Sequence, residues 1–515
     1  MRQAARTKGS RQQVSNTVSL PSPVGGWNAR DSLADMPTAD AVSLENWFPM
    51  TTECVLRYGS SNHVTGISSA VESLMEYSGA TTSKMFAASG TSFYDVTSAG
   101  AVGAAVVTGL SNARWNHINI TTSGGSFMYC ANGVDKPRLY DGATWTAIDG
   151  ASTPAITGVT TTTLKNPIVH KNRLWFIQTN TLKTWYLPTS SVGGAAAVID
   201  LSAVAQKGGY LVSHCTWTID AGTGVDDYYL AVTSNGEVIV YQGTDPTSAN
   251  TWALKGVWQM GSPVGDRCLT KFAGDVLYIS QDGLIPISGA LQSSRVNPKV
   301  ALTDKIQSAI SQAVTSYGSS YGWDVMYFPR ENQLWLLVPA TTPEVWAMNT
   351  ITKAWTKYTG WTAYSLCLFN DTPYFGSTSE VVQAWTGNND NSASITATAL
   401  QAFDHFKQPG RLKRFTMMRP IFRSSGAPAV YGAINIDFDT AASNALLSFS
   451  ASSSAAGDSA VWDSAIWGGE LSVIQEWQGV TGFGYYGAPQ IRATAMDIDV
   501  RWVSTDIVME TGGVV

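Results

Sequence analysis

Between about Met75 and Gly387 the sequence repeats one short unit: an apolar or alternating run, a Gly, Asn or Asp turn, and a second run that often carries tryptophan. Residues 138–148 (RLYDGATWTAI), 237–256 and 345–360 each read as a β-hairpin, and residues 171–187 supply a further strand pair. Asp141-Gly142, Asn235-Gly236 and Asp282-Gly283 sit where a tight turn demands positive φ, which glycine adopts freely and its partner often tolerates. The post-turn tryptophans Trp145, Trp252 and Trp355 fall 107 and 103 residues apart. That is two blade lengths if a blade takes ~50 residues. The spacing predicts an all-β fold, a β-propeller of five to seven blades, whose radial stacking buries both faces of each sheet. A set of packed β-sandwiches would show the same hairpins.

Composition agrees with this class. Only 14% of the 515 residues are charged, while 47 Gly and 20 Pro are spread along the chain as turn residues. One helix is predicted at 301–316, where Ile306, Ile310 and Val314 recur every fourth residue and Asp304 with Gln307 resembles a capping box. From about residue 392 the text changes. Residues 429–440 end in strict alternation, a low-complexity stretch fills 448–460, and residues 490–513 read as one half-buried strand with Met496, Ile498, Val500 and Trp502 on one face. The expected organisation is a basic arm at 1–20, an anchor segment at 21–60, the propeller at 61–391 with its helical insertion, and a C-terminal β-sandwich-like domain at 392–515. The arm, with Arg2, Arg6, Lys8 and Arg11, reads as solvated chain.

The net charge of −6 argues against a protein that grips phosphates through counterion release; it is first that of an ordinary soluble acidic protein, and it also fits a surface past which DNA slides. No apolar run approaches the ~18 residues of a membrane-spanning helix. The five cysteines are scattered without CxxC spacing, so buried reduced thiols are expected, with neither a disulfide framework nor a zinc site.

No constellation of reactive residues stands out. His63, His117, His170, His214 and His405 are far apart, and His214 with Cys215 on one strand would point to opposite faces. Asp437 with Asp439, and Asp497 with Asp499, share strand faces, where solvated carboxylates are the ordinary occupants; ion binding at the first pair stays open. The GxSxG at 318–322 follows a predicted helix instead of a strand, which is the wrong order for a nucleophile elbow. The expectation is a non-enzymatic chain with no catalytic, metal or cofactor residue.

Residues 21–49 (PSPVGGWNARDSLADMPTADAVSLENWFP) resemble the opening of short-tailed (podovirus) phage tail proteins of the nozzle, tail tubular protein B and packaged-DNA stabilisation group. The matching positions are Gly25, Gly26, Asn28, Arg30, Asp31, Pro37, Asp40, Asn46, Trp47, Phe48 and Pro49, with Asp40 expected to cap a short helical turn. Further matches follow in order: Tyr241, Gly243 and Pro246 in 236–246, then residues 258–268 and 282–288, Trp355 in 355–363, residues 374–385, and Trp462, Asp463 and Trp467 in 462–469. The resemblance implies a propeller subunit in a homohexameric ring beneath the portal and tail adaptor, near fibres, spikes or a needle. It implies a virion protein assembled in the bacterial cytoplasm, which retains packaged DNA and forms the channel for its ejection, without a cofactor. Gate residues are marked by no motif. The rival expectation is a tail-associated protein that binds or depolymerises host envelope glycan.

Overall fold

The repeated hairpins fold into seven small sheets. The computed structural model describes residues 15–220, 225–248, 250–291, 300–441 and 471–514. The basic arm up to residue 14, the 448–460 stretch and Trp462, Asp463 and Trp467 lie outside the described residues. Strands make up 54% and helices 6% of the structure, and the chain divides into two compact units.

The larger unit holds residues 58–353 and 357–391. Its sheets follow one another along the chain as blades, each an antiparallel meander. Blade 1 is Val71–Ser78, Ser83–Ser89 and Ser92–Asp95; blade 2 runs from Asn116–Thr122 to Trp145–Ala147, blade 3 from Leu164–His170 to Ala197–Asp200, and blade 4 from Leu211–Asp220 to Trp252–Gln259. Blade 5 is Leu269–Phe272, Asp275–Ser280 and Gly283–Pro286; blade 6 begins with Asp324–Phe328 and blade 7 with Ser365–Phe369. The first strands of successive blades lie side by side, and that of blade 7 returns to lie beside that of blade 1. Seven inner strands therefore close a ring, which makes the unit a seven-bladed β-propeller. The last blade is completed from the start of the unit: Ser60–Thr65 pairs antiparallel with Glu380–Ala384, joining Val64 to Val381. Ser365 Oγ donates to the Val71 carbonyl at 2.8 Å and fastens blade 7 to blade 1.

Between blades the core is aromatic. Trp175 of blade 3 packs on Tyr229 and Trp252 of blade 4, with ring centroids 4.8 and 5.6 Å away. Trp145 and Trp252 occupy the last strands of blades 2 and 4, and Trp355 opens the strand that follows Glu344–Asn349 of blade 6. Their spacing thus records two blades of chain each time. The predicted helix starts later than expected: Asp304–Ile306 is a 3-10 turn and the α-helix is Gln307–Tyr317, with no side-chain cap at its start. Ile306 and Ile310 are buried. With the short helix Ile287–Leu291, it follows the three strands of blade 5, where blades 2, 3 and 4 continue with a fourth strand.

The smaller unit joins residues 15–57 and 392–514 with Ala354–Thr356. One sheet centres on Arg411–Ser424 and Val500–Val514, with Ser472–Gln475 and Gln478–Gly484 on one side and Ser15–Pro21, Cys54–Leu56 and Trp47–Pro49 on the other. The second sheet runs Gly26–Trp27, Asp40–Glu45, Ile395–Gln401, Gly487–Ala495, Ala429–Ile436. They face each other as a sandwich, and glycine sets how closely: a Cβ on Gly487 would lie 2.6 Å from the Phe415 ring, and one on Gly482 2.7 Å from Ile436. The single strand expected at 490–513 is instead two, Gly487–Ala495 and Val500–Val514, in different sheets. The break falls at Asp497, whose φ is +59°. Met496 is accordingly 47% exposed while Trp502 is buried.

Candidate functional site

The ring of inner strands encloses a cavity of about 440 Å³. All seven blades line it, through residues such as Glu76, His117, Ile168, His214, Lys271, Met326 and Leu368.

One side chain organises the rim where the inner strands begin. Arg267 precedes the inner strand of blade 5, and its Nη2 donates to Tyr321 Oη at 2.6 Å, Ser73 Oγ at 2.7 Å and the Trp115 carbonyl at 3.0 Å. Nη1 donates to Asp324 Oδ2 at 3.2 Å, and Nε to Asn116 Oδ1 at 3.3 Å. Ser73 and Trp115 belong to blades 1 and 2, across the ring from blade 5, so the guanidinium spans the opening. Ser73 extends the network: its hydroxyl donates to the Ala113 carbonyl at 2.7 Å and accepts from the Trp115 amide at 2.9 Å. Burial opposes charge on Arg267, but Tyr321 and Asp324 outweigh it and hold its pKa above the usual value. Burial pushes the Asp324 carboxyl up, partly offset by the guanidinium beside it. The fork geometry of arginine is what allows one side chain to tie four blades.

Two histidines inside are held in the neutral form. Burial, then the Arg267 charge, lowers His117 to about 4, and its Nε2 accepts the Glu76 amide at 3.2 Å. His214 is lowered to about 3 by burial; its Nε2 lies 2.7 Å from the Asn166 carbonyl and its Nδ1 2.8 Å from Tyr229 Oη. Both ring nitrogens are engaged away from Cys215, whose thiol burial pushes up to about 12. The pair is therefore not a nucleophile and base. Among the described residues no group of three or more His, Cys, Asp or Glu converges to hold a metal.

The other acidic pairs prove to be turn chemistry. Ala429–Ile436 ends before Asp437, which has φ +46° and accepts the Tyr485 and Tyr486 amides at 2.7 and 2.8 Å. Asp439 accepts the Ala441 amide. The expected shared strand face does not exist there, nor at Asp497 and Asp499, where Asp499 instead pairs with Arg501 at 2.9 Å. The 318–322 segment is the connector between the helix and blade 6, and its Tyr321 serves Arg267.

The signature positions near the start gather in the smaller unit. Asn28 Nδ2 donates to Asp31 and Asp40 at 2.8 Å each, while its Oδ1 accepts the Arg30 and Asp31 amides at 3.0 Å. Asp40 opens a strand, and no helical turn follows it to be capped. A Cβ on Gly25 would overlap the Asp40 carboxylate, and one on Gly26, φ +83°, would lie 2.7 Å from the Trp355 amide nitrogen. Asn46 takes φ +58°, accepts from buried Arg57 at 2.8 Å and donates to the Thr396 carbonyl at 2.8 Å. Trp47 is fully buried against Phe422 and Trp502. In blade 4, Tyr241 stacks on Trp252 at 5.6 Å, and Gly243 leaves no room for a Cβ beside Thr251. The role of Arg267, Tyr321 and Ser73 escaped sequence reasoning, although Arg267 falls in the 258–268 match and Tyr321 in the GxSxG at 318–322.

No protein-family profile and no curated protein matches the chain. Solved structures that resemble it are β-propeller proteins. In a lead-soaked crystal of BBS1N in complex with ARL6DN, the match covers 65% of this chain and 99% of that one, at 10% identity and a TM-score of 0.40. In the mercury-soaked crystal it covers 41% of this chain and 63% of that one, at 12% identity and a TM-score of 0.28. YCF48 from Cyanidioschyzon merolae matches over 62% of this chain and 96% of its own, at 11% identity and a TM-score of 0.35.

Proposed function

We propose that this chain is a structural subunit of a short-tailed phage tail nozzle: six copies form a ring that retains packaged DNA and passes it at ejection. The observation that carries the reading is the fate of the signature residues. Gly25, Gly26, Asn28, Asp31, Asp40, Asn46 and Trp47 spend their polar atoms and volume on one another and on their neighbours in the sandwich. A motif of that kind specifies an architecture, as the resemblance to virion proteins requires. The propeller interior adds a constraint on where DNA goes. A cavity of about 440 Å³ crossed by Arg267 cannot admit a duplex whose major groove alone is ~12 Å wide. DNA therefore runs through the opening between subunits, and the net charge of −6 keeps it from adhering there.

Cryo-electron microscopy of the source particle tests this. The expected image is a six-fold ring of this chain around DNA below the portal. A trimeric spike, or a decoration of the capsid, would overturn the reading, and release of oligosaccharide from host envelope by the purified chain would favour the glycan-directed rival.

A further inference from the structure

The cavity within the propeller ring is lined by two charges that the protein itself leaves unmatched. Glu76 lies on the inner strand of blade 1, Val71–Ser78, and Lys271 on that of blade 5, Leu269–Phe272. The other charged groups of the lining have partners: Arg267 meets Asp324 at 3.2 Å, and Asp266 meets Lys165 at 3.0 Å. Among the described residues neither Glu76 nor Lys271 forms an ion pair; Glu76 Oε1 accepts the Ser78 hydroxyl at 2.7 Å.

The two charges stand on opposite sides of the axis. Burial, and then the Glu76 charge, raises the Cys367 thiol of blade 7. Burial also raises the Cys215 thiol of blade 4, there opposed by the Lys271 charge. Glu76 is therefore felt toward blades 1 and 7 and Lys271 toward blades 4 and 5, which face each other in a ring of seven. Around them the wall is apolar, with Ile118, Ile168, Met326 and Leu368. Asn116 and His117, also in the lining, add donors. Arg267 Nε can only donate, so Asn116 meets it through Oδ1 and its amide NH2 is left over. The Glu76 amide donates to His117 Nε2, which puts the proton of the neutral ring on Nδ1. Among the described residues no group accepts from Asn116 Nδ2 or His117 Nδ1.

We propose that this cavity binds one small zwitterion of the amino-acid type with an apolar side chain. A lone carboxylate would find Lys271 but face Glu76, and a lone amine would find Glu76 but face Lys271. A zwitterion matches both at once and leaves the net charge of the interior unchanged. Its carboxylate also accepts from the surplus donors of Asn116 and His117. A charge held away from bulk water is tolerated when it is paired and hydrogen-bonded, which is what each partner gains here. The aliphatic side chain is transferred from water to the apolar wall. A volume of about 440 Å³ lies within the ~300–1,000 Å³ of small-ligand sites. The inference goes beyond the ring reading above and does not depend on it.

Equilibrium dialysis of the full chain against radiolabelled L-leucine and L-methionine tests this, with 4-methylpentanoate and isoamylamine as probes that keep one charge each. At least one of the amino acids should saturate at one molecule per chain with a Kd below about 1 mM, and each single-charge probe should bind at least about tenfold more weakly. Glu76→Gln and Lys271→Met should each weaken binding about tenfold or more while leaving the circular dichroism unchanged. Leu368→Trp, which fills the cavity without altering either charge, should abolish it; if that variant misfolds, the two charge variants decide. No saturable binding of either amino acid up to about 10 mM overturns the proposal. So does equal binding of a single-charge probe, which leaves one charge idle, and so does binding unaltered in either charge variant, which puts the ligand elsewhere. A nozzle ring in the particle with no amino-acid binding would sink this inference alone, whereas binding by a chain absent from the tail would sink the functional reading alone.

Discussion

Arg267→Met deletes every donor that spans the propeller opening while keeping an apolar stem of similar reach. Asp324, whose side chain is 17% exposed, then becomes a buried carboxylate without its cation, and breaking such a pair costs about 3–5 kcal/mol. The Tyr321 and Ser73 hydroxyls, 3.3 Å apart, can turn to each other. The Trp115 carbonyl cannot, and an abandoned buried acceptor adds ~1–3 kcal/mol. Water entering the cavity offsets part of this, leaving a loss of about 4–6 kcal/mol. With a urea slope of ~3 kcal/mol per molar, the tryptophan-fluorescence midpoint of the propeller should fall by about 1–2 M. Adding Asp324→Asn should recover part of the loss, because no orphaned charge remains. The pH dependence has a definite sign. Burial raises the Asp324 carboxyl in the folded state, so the folded variant takes up a proton more readily than the unfolded chain, and its deficit relative to the parent shrinks as pH falls. A midpoint shift below about 0.3 M, or a deficit that grows on acidification, would refute the reasoning.

The buried histidines set the acid limit of the parent. His117 and His170 are lowered to about 4 and His214 to about 3, so the unfolded chain binds protons that the folded one refuses, and stability is lost as pH falls below ~6.5 toward those values. Between pH 7 and 5 each histidine removes up to roughly 2 kcal/mol; urea midpoints flat across that range would contradict it. Trp47→Ala in the sandwich should cost about 3–5 kcal/mol, since the ring is fully buried and lies 5.8 Å from Trp502 and 6.3 Å from Phe422; a change under about 1 kcal/mol in calorimetry would show that the site collapses without it.

The blade period was legible because turn chemistry is local: Asp141-Gly142 and Asn235-Gly236 announce their hairpins, and Trp145 and Trp252 mark last strands two blades apart. Pairings distant in sequence were not. Ser15–Pro21 meets Val500–Val514 across nearly the whole chain, and no periodicity within either strand records its partner. Alternation also misled where it ran past a strand end. Asp437 continues the pattern of Ala429–Ile436 but turns into positive φ, and Asp497 separates two strands that read as one. Arg267 was hidden for a related reason: its partners Ser73, Trp115, and Tyr321 with Asp324 come from three places that only ring closure brings together. The signature residues were readable as a pattern, but their mutual hydrogen bonds, such as Asn28 with Asp40, required the fold.

The most direct test of the account is a side-chain-resolution image of the tail. It predicts six propellers in a ring, DNA density only in the opening they surround, and Arg267 bridging Asp324, Tyr321 and Ser73 across each propeller axis. DNA density within a propeller, or this chain found outside the ring below the portal, would contradict it.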